Sequence, residues 1–289
     1  MGQHGGVVDG TSVLADMLAT GDVVVLSGAG ISTESGIPDY RGPSGALVRH
    51  TPMTYQTFTG DTAARRRYWA RSHLGWRTIA GAAPNDGHRA VAGLQRRGLL
   101  SGLITQNVDG LHQAGGADDV VELHGSLDRV VCLGCGDLTS REELHERLAR
   151  ANPRFGAEAG QVNPDGDVDL PDAEAERFRT VGCRACDGGV LKPDVVFFGE
   201  TVPPGRVNRC YALVERAGLL LVLGSSLAVM SGRRFVLRAA KLGIPVAIVN
   251  QGATRGDDYA TLTVDARLGE VLPETVRLID ARVPARGRS

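Results

Sequence analysis

Asp22-Val23-Val24-Val25-Leu26-Ser27-Gly28-Ala29-Gly30-Ile31-Ser32 decides the fold class. An unbroken apolar run of strand length, closed by glycines, reads as a parallel strand buried on both faces and entering a tight turn. Glycines just past such a strand let backbone N–H groups approach a pyrophosphate at a helix N-terminus. Thr33 stands where the third glycine of a G-x-G-x-x-G loop belongs, and the next glycine is Gly36. Alone, this stretch leaves a dinucleotide loop and a plain strand–helix turn equally open.

The same rhythm continues outward. Helices are expected over residues 11–20 (Leu14, Met17 and Leu18 on one face), 62–76, 85–97, 205–217, 232–242 and 270–281. Strands are expected over 22–27, 99–105, 120–123, 195–198, 219–223 and 246–250, with 262–264 leading to the last helix. Alternation of this kind implies an α/β fold with a doubly wound parallel sheet. Composition is ordinary for a globular chain of 289 residues, with 42% hydrophobic and 22% charged. That length suffices for one large domain or two unequal ones. Net charge is −1, and the 32 basic residues, all Arg except Lys192 and Lys241, are spread along the chain. Neither nucleic acid nor an anionic membrane is therefore an expected partner. No apolar run approaches the ~20 residues of a membrane span. The polar, Gly-rich residues 1–10 do not read as a signal peptide, so a cytoplasmic location is expected.

Cys132-x2-Cys135 and Cys183-x2-Cys186 are separated by 47 residues. Each pair offers two sulfurs from one knuckle, which is the spacing of a tetrahedral thiolate zinc site. In a chain read as lacking a secretion signal, zinc is preferred to disulfides or redox pairs. Four protein ligands close the shell, so the ion would be structural. Cys210, beside Tyr211 and Leu213, reads as a buried apolar side chain. The expected organisation is a zinc-binding insertion at 132–186 within a Rossmann-like domain at 12–131 and 187–283. Residues 1–11 and 284–289 are expected as flexible ends, and the Gly-, Pro-, Asn- and Asp-rich 152–171 as loop.

Two more strand ends are polar: Gly224-Ser225-Ser226 and Asn250-Gln251-Gly252. Strand C-termini are where an open α/β sheet binds ligand, so three such tips favour a cofactor cleft. Thr105-Gln106-Asn107-Val108-Asp109-Gly110 offers an amide and a carboxylate that could read a carboxamide, or cap the next helix. Leu123-His124-Gly125-Ser126 puts a histidine at a fourth tip, suited to general base work or to a structural role. His112 is the other histidine expected near the cleft. His4, His50, His73, His88 and His145 read as loop or surface.

In one order, the chain carries Gly28-Ala29-Gly30-Ile31-Ser32, Pro38-Asp39-Tyr40-Arg41, Thr105-Gln106-Asn107-Val108-Asp109, Leu123-His124-Gly125 and the two cysteine pairs. Lys192-Pro193-Asp194-Val195-Val196-Phe197-Phe198-Gly199-Glu200, Gly224-Ser225-Ser226 and Asn250-Gln251-Gly252 follow. Over roughly residues 12–280 this resembles the sirtuin family. The resemblance implies a Rossmann-like NAD-binding domain bearing one structural Zn2+. It also implies NAD as a consumed co-substrate and acylated-lysine proteins as substrates. The acyl oxygen would attack the nicotinamide ribose, nicotinamide would leave, and an imidate-like intermediate would form. Products would be free lysine, nicotinamide and O-acyl-ADP-ribose.

Residue by residue, the resemblance makes His124 the catalytic base acting through a ribose hydroxyl. Asn107, Asp109 and Ser32 would lie near the carboxamide, and Gly28, Ala29 and Gly30 would face the pyrophosphate. Asp39, Tyr40 and Arg41 belong to the loop closing over the ribose. Gln106 would position a ribose hydroxyl. Gly224, Ser225, Ser226, Asn250, Gln251 and Gly252 would hold the phosphate and adenosine side, with Leu268 touching adenine. Val195, Val196 and Phe197 would pair with substrate backbone, although 195–198 also reads as a core strand. Glu200 reads as structural. The family commonly has Phe where Tyr40 stands, which keeps an aromatic wall and adds a hydroxyl.

Arg66-Arg67-Tyr68-Trp69-Ala70-Arg71 with Gly75-Trp76, and the long gap between cysteine pairs, are similar to the class II, mitochondrial-type branch. Tyr68 and Arg71 also resemble a Tyr-x-x-Arg pair that recognises acidic acyl groups, against the plainer reading of a solvated Arg-rich helix face. Protein mono-ADP-ribosyl transfer is the alternative activity. A non-catalytic, zinc-stabilised NAD sensor is the alternative of another class, and intact His124, Asn107 and Asp109 argue against it. A zinc-ribbon nucleic-acid binder and a hydride-transfer dehydrogenase fit less well. Oligomeric state is not legible in the sequence.

Overall fold

The computed structural model describes residues 4–39, 52–155, 168 and 170–282. Helix α1 (His4–Ala19) leads into β1 (Val23–Ser27), followed by α2 (Tyr55–Gly60), α3 (Thr62–Ala80) and α4 (Asp86–Arg96). Next come β2 (Leu100–Thr105), α5 (Leu111–Ala114) and β3 (Val120–Glu122). A second group comprises β4 (Gly125–Cys132), β5 (Leu138–Ser140), α6 (Arg141–Ala151), α7 (Asp172–Ala175) and β6 (Leu191–Val195). The chain returns through α8 (Pro204–Val214), β7 (Leu219–Leu223), α9 (Met230–Lys241), β8 (Val246–Asn250), β9 (Leu262–Asp265) and α10 (Leu268–Arg282).

Six parallel strands form the main sheet in the order β3-β2-β1-β7-β8-β9. This is the doubly wound order with β1 at the centre, its two neighbours reached by connections running to opposite sides. Every residue of β1 is buried, which explains the continuous apolar run. Val23 and Val25 face a core closed by α1, α4 and α10, including Leu14, Leu18, Val91 and Leu272. Val24 and Leu26 face the opposite core under α8 and α9, with Val207, Val214 and Phe235. Each such Val or Leu contributes on the order of 1.5–3 kcal/mol by leaving water.

A smaller antiparallel sheet, β5-β4-β6, carries the cysteines. Its strands β4 and β6 reach outside 132–186, to Gly125 and Val195, which pair with each other. A third apolar core joins this sheet to α2 and α3 through Phe58, Tyr68, Trp69, Val130 and Leu191.

Most expected elements lie within a few residues of their observed bounds; one differs in kind and one in length. The expected core strand at 195–198 does not join the parallel sheet. Only Val195 is in a strand, the end of β6, and Phe198 makes an isolated parallel bridge with Thr54. The run is apolar because Val195 and Phe197 pack into the core under α2 and α3 and because it walls a cleft, not because it crosses the parallel sheet. Helix α1 begins at His4, upstream of residue 11. Gly10 stands four residues before Leu14, and a Cβ there would lie 3.3 Å from Val264, so the helix continues onto β9. No helix among the described residues is long and apolar enough to cross a membrane.

Candidate active site

At the carboxyl ends of β1 and β7 the sheet changes winding direction, and a cleft of about 620 Å³ opens there. Both its place and its size are those of a cofactor site. Gly28, Ala29, Gly30, Ser32, Asp39, Gln106, Asn107, Asp109, Gly224, Ser225, Ser226, Asn250, Gln251 and Leu268 line it, as do His124, Val195, Val196 and Phe197. Gly252 does not. Its N–H donates to Asp265 Oδ1 (3.1 Å) and its carbonyl accepts from Asn250 Nδ2 (2.8 Å), which closes the turn away from the cleft. Tyr40 and Arg41 lie outside the described residues.

The glycines of the β1 loop also have a packing reason. Gly28 N–H donates to Leu223 C=O (2.9 Å) and Gly30 N–H to Gly224 C=O (2.8 Å), so these donors are engaged by the β7 loop. A Cβ on Gly30 would sit 2.8 Å from Gly224 Cα, and Gly224 itself has φ +59°. Close contact between the two loops demands glycine at both places.

Behind Gly30, one hydroxyl gathers three segments. Ser32 Oγ donates to Asp109 Oδ2 (2.7 Å) and accepts from Asn107 Nδ2 (3.0 Å). His88 Nε2 lies 3.4 Å from the same oxygen. His88 belongs to a capping box on α4. Asn85 N–H donates to His88 Nδ1 (3.3 Å), so Nε2 carries the proton and points to Ser32. The expectation of a surface position for His88 is thus overturned: it is buried, and burial pushes its pKa down to about 4. His73 and His145 are buried too, stacked with ring centroids 4.4 Å apart. His112 is structural, with Nε2 2.8 Å from Ser27 Oγ and its pKa pushed down to about 3 by burial. Burial raises the Asp109 pKa, against its hydrogen bonds from Leu111 N–H and Ser32.

His124 is fixed at both ring nitrogens. Nδ1 lies 2.9 Å from Gln106 C=O, and Nε2 lies 2.9 Å from Ser231 Oγ. A carbonyl only accepts, so Nδ1 bears the hydrogen and Nε2 is the basic nitrogen. Burial holds the imidazole below its ordinary pKa, keeping it neutral near pH 7. Gly125 follows with φ +85°, and a Cβ there would lie 2.8 Å from Asp194 C, so β6 can pass directly against it. Val196 N–H donates to His124 C=O (2.8 Å), placing 195–197 beside the imidazole. Glu200 accepts from Phe197 N–H (2.8 Å) and pairs with buried Lys192 (3.0 Å). Lys192 Nζ also donates to the carbonyls of Pro193 and Val195 and stands over the Phe197 ring.

Tyr68 and Arg71 do not line the cleft. Tyr68 is buried among Phe58, Trp69 and Phe197 at centroid distances of 5.3, 5.4 and 5.3 Å. Its ring completes an aromatic core behind Phe197, and Arg71 Nη2 faces Leu170 C=O at 3.5 Å. Two residues that matter were missed. Ser231 had no motif signal, and His88 could have been found through the Asn85-x-x-His88 capping spacing.

The four cysteine sulfurs all lie within 4.8 Å of one another. Cys132 to Cys186 is 3.6 Å and Cys135 to Cys183 is 3.8 Å. Zn–S bonds of about 2.3 Å in a tetrahedron put sulfurs about 3.8 Å apart, whereas a disulfide needs about 2.05 Å. The donor set therefore fits one structural zinc ion. Gly134 and Ala185 N–H groups donate to Cys132 and Cys183 sulfurs (3.4 and 3.3 Å), as in thiolate knuckles.

Together these features define a doubly wound dinucleotide-binding fold whose cleft is walled in part by the end of β6 and, among the described residues, holds one imidazole, His124. The Sir2 family model matches residues 28–231, and the chain belongs to the Sir2 family. It is 63% identical over 270 residues to NAD-dependent protein deacetylase 1 of Streptomyces coelicolor, covering 93% of this chain and 90% of that protein. NAD-dependent protein deacetylase 1 of Mycobacterium avium is 53% identical, covering 90% and 92%. The solved Sir2–p53 peptide–NAD+ complex superposes with a TM-score of 0.72 at 30% identity, covering 93% of this chain and 97% of that one.

Proposed function

We propose that this protein is an NAD-dependent protein-lysine deacylase that releases nicotinamide and transfers the acyl group to ADP-ribose. The observation that carries this is the cleft-facing His124, held neutral with Nδ1 on Gln106 C=O and Nε2 as the base. NAD, when bound, supplies the electrophilic ribose carbon and the ribose hydroxyl that takes the acyl group. The chain does the rest. Asn107, Asp109 and Ser32 form a linked polar wall suited to a departing carboxamide. His124 accepts the ribose hydroxyl proton at Nε2. The 195–197 backbone, braced by Lys192 and Glu200, offers an edge to a substrate peptide. The Ser225, Asn250 and Leu268 side of the cleft takes the adenosine half. A zinc ion on the four cysteines would tie the end of β4 to the knuckle at 183–186, and β4 pairs with β6 from Gly125–Val195 to Cys132–Leu191.

The apolar side chains Ile37, Val108 and Phe197 on the cleft wall favour a neutral acyl group such as acetyl over an acidic one. The class II, mitochondrial-type assignment rests on residues 66–76 and the cysteine spacing. A cytoplasmic location suits four thiols that must stay reduced. The test is mass-spectrometric turnover with NAD and lysine peptides bearing acetyl, butyryl, succinyl or glutaryl groups. Acetyl is expected to be processed at least tenfold faster than succinyl or glutaryl. Preference for an acidic acyl group would restore Tyr68 and Arg71 as selectors. Nicotinamide release with every acyl group retained would favour ADP-ribosyl transfer.

A further inference from the structure

The first turn of α9 contributes a hydroxyl to the base. Ser231 Oγ lies 2.9 Å from His124 Nε2, and both residues line the cleft. Because Nδ1 must donate to Gln106 C=O, Nε2 of the neutral ring carries the lone pair, and Ser231 donates to it. The location of Ser231 is tightly set. A Cβ on the next residue, Gly232, would sit 2.7 Å from Gln106 Cδ, and Gln106 Nε2 donates to Ser225 Oγ (2.9 Å). Gln106, at the end of β2, and α9 therefore grip the imidazole from both sides.

The geometry points to Ser231 as a positioning residue for His124, partnering Nε2 before and after the base takes its proton. This rests on the base role proposed above. In the transfer, Ser231 O–H first turns away and frees the Nε2 lone pair; the ribose oxygen then bonds the acyl carbon as the C=N π pair moves onto the lysine nitrogen, and the ribose proton moves to Nε2. The resulting imidazolium donates from Nδ1 to Gln106 C=O and from Nε2 to Ser231 Oγ, the hydroxyl having turned from donor to acceptor. A hydroxyl can serve both states, and alanine serves neither.

The test compares the wild-type chain with Ser231→Ala, Ser231→Thr and His124→Ala in two reactions. One is formation of O-acetyl-ADP-ribose from NAD and an acetyl-lysine peptide. The other is exchange of labelled nicotinamide into NAD with the same peptide, which needs nicotinamide departure and no base. Ser231→Ala should lower the deacetylation kcat about tenfold and exchange less than threefold, and Ser231→Thr should recover most of the loss. Deacetylation by Ser231→Ala at the wild-type rate overturns the inference. So does an equal fall in both reactions that threonine fails to rescue. A wild-type chain performing neither reaction overturns the deacylase reading and this inference with it. A His124→Ala chain that deacetylates as fast as wild type overturns the base role itself.

Discussion

Ser32 accepts from Asn107, lies beside His88 and donates to Asp109, so one hydroxyl links the β1 loop, the β2 tip and the α4 cap. Asp109 also caps α5 through Leu111 N–H (3.0 Å). Asp109→Asn keeps the shape and removes the charge facing the carboxamide pocket. It should lower the rate of nicotinamide release by about 10–100-fold with little change in thermal midpoint. A fall of less than twofold in single-turnover release would remove Asp109 from the chemistry. At this scale the sequence made His124 and the cysteines legible, because strand-tip position and ligand spacing are local. His88 and Ser231 were not legible as site residues. One acts through a capping box that turns its ring inward, and the other through a helix arriving from 107 residues away.

Among the elements, the segment after β6 shows how one pattern serves two structures. An apolar run such as Val195-Val196-Phe197-Phe198 fits a buried strand by periodicity. The Lys192–Glu200 pair distinguishes the two readings, since Glu200 accepts from Phe197 N–H and ties the run to β6 at the wall of the cleft. Lys192→Met leaves Glu200 without its cation, a change that typically costs about 3–5 kcal/mol for a buried pair. The substitution should raise the KM for peptide at least fivefold and leave NAD affinity within twofold, read by steady-state kinetics and calorimetry. An unchanged peptide KM would separate the brace from substrate binding. Helices and parallel strands were legible because each alternates one apolar face or is buried on both. The small sheet was not, since β4, β5 and β6 are short, and β4 and β6 meet across about 60 residues of intervening chain.

Across the whole molecule, burial holds His73, His88 and His112 neutral, with pKa values near 4, 4 and 3. An unfolded histidine titrates near 6.5, so below that pH the unfolded chain binds protons that the folded chain refuses. Stability is therefore full above about pH 6.5 and is lost as pH falls toward 4. The loss at pH 5.5 should be on the order of 1 kcal/mol per histidine. Urea unfolding at pH 7.5 and 5.5 checks this, and an equal or higher midpoint at pH 5.5 would contradict it. The six-stranded order brings the β1, β2, β7 and β8 tips to one edge, where His124 follows β3. The fate of the acyl group tests that arrangement most directly. With NAD and a peptide carrying carbon-13-labelled acetyl-lysine, the label should appear on ADP-ribose at one equivalent per nicotinamide released, and His124→Ala should abolish it. Label left on the peptide, or released as free acetate with no acetylated ADP-ribose formed at any time, would contradict acyl transfer in this cleft.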